Sequence, residues 1–304
     1  MDFTHLFDEA GCIGSLHAVR LSDGTEVSHD ADRPHVLASV VKVPIGLEFY
    51  AQVDAGRVDP TERVTLQPAL RTPGPVGISR FEDTVTMSLR DLSYLMLTIS
   101  DNAAADAVTA AVGIPAVNDR LSAIGCRETV VVESLQAMLD GVASDMGHRN
   151  YPELVAAQDG EMGPDAQAMA TDPERIDRCR ALDPLQTSRT TARDATRLLA
   201  AVWAGTAASP RACGTLRRVM SEQLTRRLAG AVPDGGTLEA KSGGLFRRVF
   251  NEIALITDPG GEAYSVAVLT RTHRSDSPRA KINGAMALSI AEALEHLRIQ
   301  RQLN

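Results

Sequence analysis

The sequence predicts a mixed α/β protein of the α+β kind. One antiparallel sheet is built from both ends of the chain and flanked by helices, and a helical subdomain is inserted through it. Three observations carry this. Near the N-terminus, "IGSLHAVRLSDGTEVSHD" reads as two strands joined by a tight turn at Asp23-Gly24. In the middle, from "SLRDLSYLMLTISDNAAADAVTAAV" onward, apolar residues move to helical spacing, as at Leu89, Leu92, Leu95 and Met96. Near the C-terminus, "RVFNEIALITDPGGEAYSVAVLTR" returns to strands, two apolar runs around a DPGG turn.

The remaining elements follow in order. "TTARDATRLLAAVWA" and "SPRACGTLRRVMSEQL" are amphipathic helices, and "NGAMALSIAEALEHLRIQRQL" is a closing helix. Residues 1–55 and 205–304 are assigned to the sheet-bearing subdomain and 56–204 to the helical one. The segment 140–184 is rich in Pro and Gly with weak periodicity, so a long excursion with short helices is expected there. A cleft between the two subdomains is the expected place for a ligand.

Composition excludes several classes. A chain of 304 residues has room for a substantial core, and 44% apolar with 23% charged residues is ordinary for a globular protein. A net charge of -8 argues against nucleic-acid partners, which need a basic face. No apolar run reaches the roughly 18 residues of a membrane span. The start, "MDFTHLFDEAGCIG", lacks the basic and apolar regions of a signal peptide, so a cytoplasmic location is expected unless a leader was trimmed. Cys12, Cys126, Cys179 and Cys213 have no metal or redox spacing and read as buried free thiols. The histidines form no ligand pattern, so neither a metal nor a cofactor is implied.

Lysine occurs at only three positions, Lys42, Lys241 and Lys281, in a chain with 31 Lys plus Arg. Lys42 lies in "ASVVKVP", three residues after Ser39, so both side chains fall on one face of a helical turn. A serine hydroxyl needs a base to become a nucleophile. A desolvated lysine can lose its proton and act as that base, whereas arginine cannot. Pro44 makes the turn irregular. Two further stretches stand out. Ser100-Asp101-Asn102 follows a helical run, and Lys241-Ser242-Gly243-Gly244 is read as the start of a strand. Each alone has an ordinary explanation, as helix capping and as a solvated edge.

In the order S-x-x-K, S-D-N, K-S-G the three are a signature set. On these motifs the chain resembles the penicillin-binding protein and penicilloyl serine transferase superfamily, most closely class A β-lactamases. The resemblance covers most of the chain except 140–184. It implies a β-lactamase or D,D-peptidase-like fold. It also implies Ser39 as the acylated nucleophile, Lys42 as its base, Ser100 as a proton relay and Asn102 as a binder of a substrate amide. Lys241 and Ser242 would hold a substrate carboxylate, and the N–H groups of Ser39 and Gly244, beside Gly243, would form an oxyanion hole.

The chain departs from that family where the acyl-enzyme is hydrolysed. Class A enzymes carry an Ω loop with an E-P-E-L-N-like motif whose first Glu activates water. In "RNYPELV" Tyr151 takes the place of that Glu and Val155 that of the Asn. "SRTT" puts Arg189 where the family has an Asp. Alternatively the loop begins near Glu133, in "VVVESLQ". Glu133, Glu153, Glu161 and Glu174 are all candidates for the missing carboxylate, and no spacing selects among them. The resulting expectation is a serine hydrolase or acyltransferase that takes a small-molecule or peptide-like acyl substrate. The alternatives are a true β-lactamase or D,D-peptidase with a remodelled Ω loop, and an acyl-binding sensor that does not turn over. The sequence does not fix the oligomeric state.

Overall fold

The computed structural model describes residues 1–273 and 277–303. Helix α1 (Thr4–Glu9) leads into β1 (Cys12–Arg20) and β2 (Glu26–His29), the hairpin expected around Asp23-Gly24. A short strand β3 (His35–Val36) and a single 3-10 turn (Ala38–Val41) run into α2 (Lys42–Asp54). The ribbon β4 (Arg63–Leu66) and β5 (Val85–Ser88) precedes α3 (Leu89–Thr98), α4 (Asn102–Val112) and α5 (Ile114–Ile124). Then come α6 (Leu135–Asp145), α7 (Tyr151–Gln158), α8 (Pro164–Thr171), α9 (Pro173–Asp177) and a two-residue β6 (Arg189–Thr190). Helices α10 (Ala192–Trp203) and α11 (Pro210–Met220), strands β7 (Thr237–Leu245), β8 (Val249–Thr257) and β9 (Ala263–Thr272), and α12 (Arg279–Leu303) complete the chain.

The expected sheet is present, with strand order β2-β1-β9-β8-β7 and every pairing antiparallel. The two ends of the chain join where β1 pairs β9, from Cys12 opposite Thr272 to Arg20 opposite Tyr264. Both faces are covered, so the central strands are apolar on both sides rather than alternating. On β8, Phe250, Ala254 and Ile256 enter a core with α1 and α12, including Phe3, Phe7, Ile290 and Leu294. Ile253 and Leu255 enter the opposite core with Leu198, Leu199 and Leu216 of α10 and α11. Full burial of each Leu, Ile or Phe side chain here is worth about 1.5–3 kcal/mol. Phe7 packs over Gly14 of β1, where a methyl group would sit 2.4 Å from the ring. The four cysteines are buried and free, as expected.

The helices begin where polar residues satisfy their first N–H groups. Ser88, Asp101, Ser134, Asn150, Thr191 and Ser209 each accept a backbone hydrogen bond as N-cap, a device worth about 1 kcal/mol. The long helical run read from the sequence is broken at Ile99 to Asp101, because Asp101 caps α4 instead of continuing α3.

Two expectations need correction. The excursion is more regular and wider than the 140–184 loop. It leaves and rejoins the body at a neck where Val130 and Arg189 exchange both backbone hydrogen bonds, each 3.0 Å. Between them lie α6 to α9, packed on a small core of Val142, Met146, Leu154, Ala157 and Ala170. The stripe is narrow and rich in alanine, which is why the periodicity is weak. Lys241 does not begin a strand either. It is in the middle of β7, opposite Ile253 of β8.

The 3-10 turn carrying Ser39 is pressed onto β7. A Cβ at Gly243 would lie 3.0–3.2 Å from Leu37 O, Val40 N and Ser39 N, all backbone atoms. Asn251 ties the same segment down by donating from Nδ2 to Val36 O at 2.8 Å. Gly243→Ala must therefore push turn and strand apart. It is expected to cost about 1–3 kcal/mol, as overpacking does, read as a melting temperature several degrees lower by calorimetry. An unchanged melt would show that the turn is free to shift.

Candidate active site

The three motifs converge although they lie far apart in sequence. Ser39 lies in the 3-10 turn and Lys42 is the first residue of α2. Pro44 is the third residue of that helix, where its missing N–H has no intrahelical partner to lose. Ser100 and Asn102 flank the α3–α4 junction, and Lys241 reaches across from β7.

Lys42 is 0% exposed. Its Nζ donates to Ser100 O at 2.7 Å and Asn102 Oδ1 at 2.8 Å. It lies 3.2 Å from Ser100 Oγ and 3.4 Å from Ser39 Oγ. A neutral amine has two N–H donors and one lone pair. The carbonyl and the amide oxygen occupy the two donors, which leaves the lone pair for a hydroxyl. Burial pushes the Lys42 amine down to about 7, against the pull of Asp101 and Asp106. Lys241 is also 0% exposed, and its Nζ donates to Ser242 O at 3.0 Å and Ser100 Oγ at 3.1 Å. Burial, then the nearby Lys42 and Arg227, hold it well below the ordinary amine range. Ser100 Oγ thus sits between two buried amines, on a residue whose φ is +65°. A non-glycine residue in that region is strained, by about 1–3 kcal/mol. Ala38, next to Ser39, also has a positive φ of +47°.

Ser39, Asn102 and Gly244 line a cleft of about 620 Å³. Ser242 and Gly243 lie behind it. The Ser242 N–H donates to Gln223 Oε1 at 2.9 Å, and Gly243 faces the Ser39 turn. One wall is the segment Pro73 to Arg80, held by Asn102 Nδ2 donating to Pro73 O at 2.8 Å and by Ser79 Oγ donating to Asp101 Oδ1 at 3.1 Å. The other wall belongs to the excursion.

The excursion candidates are placed differently from one another. Tyr151 begins α7 and lines the cleft, and burial raises its phenol. Glu153 is engaged elsewhere: it accepts from Arg149 Nε at 2.7 Å, and this pairing lowers its carboxyl below the usual range. Glu133 sits in a smaller neighbouring pocket with Val41, Met138 and Leu245, and burial raises its carboxyl. Glu174 is exposed and pairs with Arg178 at 2.9 Å. Among the described residues, the carboxylates lining the cleft are Asp159 and Glu161, both exposed.

Sequence reasoning missed Arg227. It is buried near Lys241, its Nη2 is 3.4 Å from where a Gly244 Cβ would stand, and among the described residues its Nε and Nη1 have no hydrogen-bond partner. Burial lowers its guanidinium to about 10, against the nearby Glu252. As one arginine among many, outside any motif, it carried no local signal. Glu252, which accepts from the N–H groups of Arg227 and Leu228 at 2.8 and 3.1 Å, was equally silent.

A family model described as "Beta-lactamase enzyme family" matches residues 2–294. The chain belongs to the β-lactamase enzyme family. Among curated proteins it is similar to the β-lactamase regulatory protein BlaB of Streptomyces cacaoi, 29% identical, covering 95% of this chain and 93% of that one. Among solved structures it is similar to a β-lactamase from Sphaerobacter thermophilus, with 25% identity, a TM-score of 0.73 and coverage of 96% and 95%. It shares the fold of PBP-A, with 21% identity, a TM-score of 0.70 and coverage of 97% and 98%. A PBP-A variant has been solved as an acyl-enzyme complex with penicillin G, with the same TM-score. The family fold and the antiparallel sheet flanked by helices are therefore as the sequence predicted.

The Lys42 geometry carries a pH signature. Only the neutral amine can accept a proton, and its value of about 7 sets where that form appears. Covalent modification of Ser39 by an acylating reagent should rise about tenfold per pH unit below 7 and level off above it. Stopped-flow acylation rates between pH 5 and 9 give the profile. A rate independent of pH across this range would remove Lys42 as the base.

Proposed function

We propose that this protein is a serine-dependent acyl hydrolase or acyltransferase that forms an acyl-enzyme at Ser39 with an ester, amide or lactam. The single observation that carries this reading is the fully buried Lys42 amine, lowered to about 7 and within reach of both the Ser39 and Ser100 hydroxyls.

The steps follow from that placement. Lys42 takes the Ser39 proton as Oγ attacks the acyl carbon. The negative charge developing on the acyl oxygen is met by the N–H groups of Ser39 and Gly244. Ser100 donates its proton to the departing group and regains one from Lys42. Lys241 and Arg227 bind a substrate carboxylate, whose charge favours protonated Lys241. Asn102 orients the substrate amide.

The second half of the reaction has weaker support. Glu153 pairs with Arg149, Glu133 belongs to a neighbouring pocket, and Asp159 and Glu161 are exposed. Without a positioned base, water loses a factor of about 10²–10⁴ as acceptor. The acyl-enzyme is then long-lived with penicillins. A second reading, an acyl-binding sensor, is favoured by the 29% identical relative named as a β-lactamase regulatory protein. An acceptor screen separates the two. Turnover restored by added amines or alcohols supports an acyltransferase, and an adduct inert to all of them supports the sensor.

Three measurements test the acylation step. Intact mass after incubation with a reactive β-lactam should show one adduct, absent in Ser39→Ala; an adduct persisting in that variant sinks the assignment. Lys42→Arg should be about as damaging as Lys42→Ala, about 10²–10⁴-fold in acylation rate, because arginine keeps the charge but cannot be a base. Wild-type rates in Lys42→Arg would make the residue structural. A chromogenic cephalosporin should give a burst of one equivalent followed by slow turnover. Sustained turnover at tens per second, on the scale of ordinary enzymes, would show that a carboxylate near the cleft does activate water.

A further inference from the structure

A second cavity, of about 430 Å³, lies between α2, α3 and α11, and none of the residues of the Ser39 site line it. That volume is in the range of small-molecule sites. Its floor is apolar and aromatic: Phe49, Tyr50 and Val53 near the end of α2, with Val219 of α11. Phe49 and Tyr50 meet edge to face at 5.3 Å, and both are buried. Tyr94 of α3 adds a third ring at the mouth, 40% exposed. The phenol of Tyr50 is satisfied inside the protein. Ser93 Oγ donates to Arg90 O at 2.7 Å, so it accepts from Tyr50 Oη, at 3.1 Å. Tyr50 therefore needs no polar partner in the cavity, and its ring is a surface on which another planar group packs.

The rim carries charges of both signs, but the two signs are not equally free. Asp91 accepts from Ser88 Oγ at 2.7 Å, within the cap of α3. Asp54 accepts from Ser209 Oγ, the residue that caps α11, and lies 3.6 Å from Arg211 Nε. Both carboxylates thus hold helix starts in place. Of the rim arginines, Arg218 lies 3.4 Å from Glu222, and Arg211 has the long contact to Asp54. The exposed Arg90 guanidinium makes no hydrogen bond or ion pair among the described residues. A cationic ligand would have to draw a carboxylate away from its cap. An anionic one meets guanidinium N–H groups that are free to form charge-assisted hydrogen bonds.

We propose that this cavity is a second ligand site, which takes a small aryl carboxylate. The ring system lies among Phe49, Tyr50, Val53 and Val219, and the carboxylate pairs with Arg90 and Arg211 at the rim. The site goes beyond the Ser39 chemistry and does not rest on it. Lys42 opens α2 and Phe49 lies towards its other end. About 10 Å of helix separates them at 1.5 Å per residue, so the cavity and the Ser39 cleft can be filled at the same time.

The test is isothermal titration calorimetry with 2-naphthoate, and with 2-naphthylmethanol as the same ring system without the charge. 2-Naphthoate should bind the wild type at one site, with a Kd on the order of 0.1 mM for a ligand of this size. The alcohol should bind about tenfold more weakly, for want of the charged contact. Arg90→Gln removes an exposed cation, and affinity for 2-naphthoate should fall about fivefold. Thr215→Phe fills the cavity from α11, and binding should be lost. The melting temperature reports whether that variant is folded, and Arg90→Gln decides the matter if it is not. Binding should persist in Ser39→Ala, whether or not Ser39 forms an acyl-enzyme. Loss of binding there, or affinity unchanged in Arg90→Gln, places the probe elsewhere, the Ser39 cleft included, and overturns the site. No binding by the wild type, or equal affinity for the acid and the alcohol, also overturns it.

Discussion

Two lysine amines buried against one serine hydroxyl are the constraint on which the rest of the structure depends. Lys42 Nζ and Lys241 Nζ approach Ser100 Oγ to 3.2 and 3.1 Å, and neither amine touches solvent. Two full charges about 6 Å apart across that hydroxyl would repel by about 3 kcal/mol at an effective dielectric near 20. This repulsion adds to burial in lowering the Lys241 amine. Asp101 opposes the shift by attracting the charged form of Lys42. Yet Asp101 is occupied as the cap of α4 and as acceptor for Ser79, so it contributes charge without a direct bond to the amine.

Holding the amines there is the work of the whole fold. Lys42 arrives at the start of α2, and its direction is fixed by the strained Ala38 and by the Gly243 contact between turn and strand. Lys241 arrives from β7, which is fixed by its full register with β8. Ser100 arrives from a helix junction with a left-handed φ. Each of these three segments is braced by a buried polar side chain: Asn251 behind Ser39, Asp101 behind Ser100, Gln223 behind Ser242.

The sheet, its hairpins and the three motifs of the candidate site were legible because each is written in local sequence. Asp23-Gly24 marks a turn, "ISDNAAA" marks a cap, and "SVVK" places an amine one helical turn from a hydroxyl. The neck between Val130 and Arg189 was not legible, since a single bridge has no period. The helices of the excursion were blurred because their buried stripe is largely alanine. Arg227 and Glu252 were invisible because their importance comes only from what folds beside them. The turn between β7 and β8 was hidden for the opposite reason: Phe246 and Arg247 hold φ of +47° and +56°, which their residue types disfavour.

The same division separates the two halves of the chemistry. The proposed acylation draws on groups that short motifs place on rigid elements, so those residues could be named from the sequence. The proposed release of the acyl group would draw on the long excursion, where four glutamates were equal candidates by spacing. The fold distributes them between an outward pair, a neighbouring pocket and the cleft wall. Lysine usage makes a related point. Lys42 and Lys241 are buried at the site and Lys281 is exposed on α12, while the surface cations elsewhere are arginine. Arginine serves wherever a permanent charge suffices. In the proposed mechanism Lys42 is the amine that gives up a proton and takes it back, which arginine cannot do.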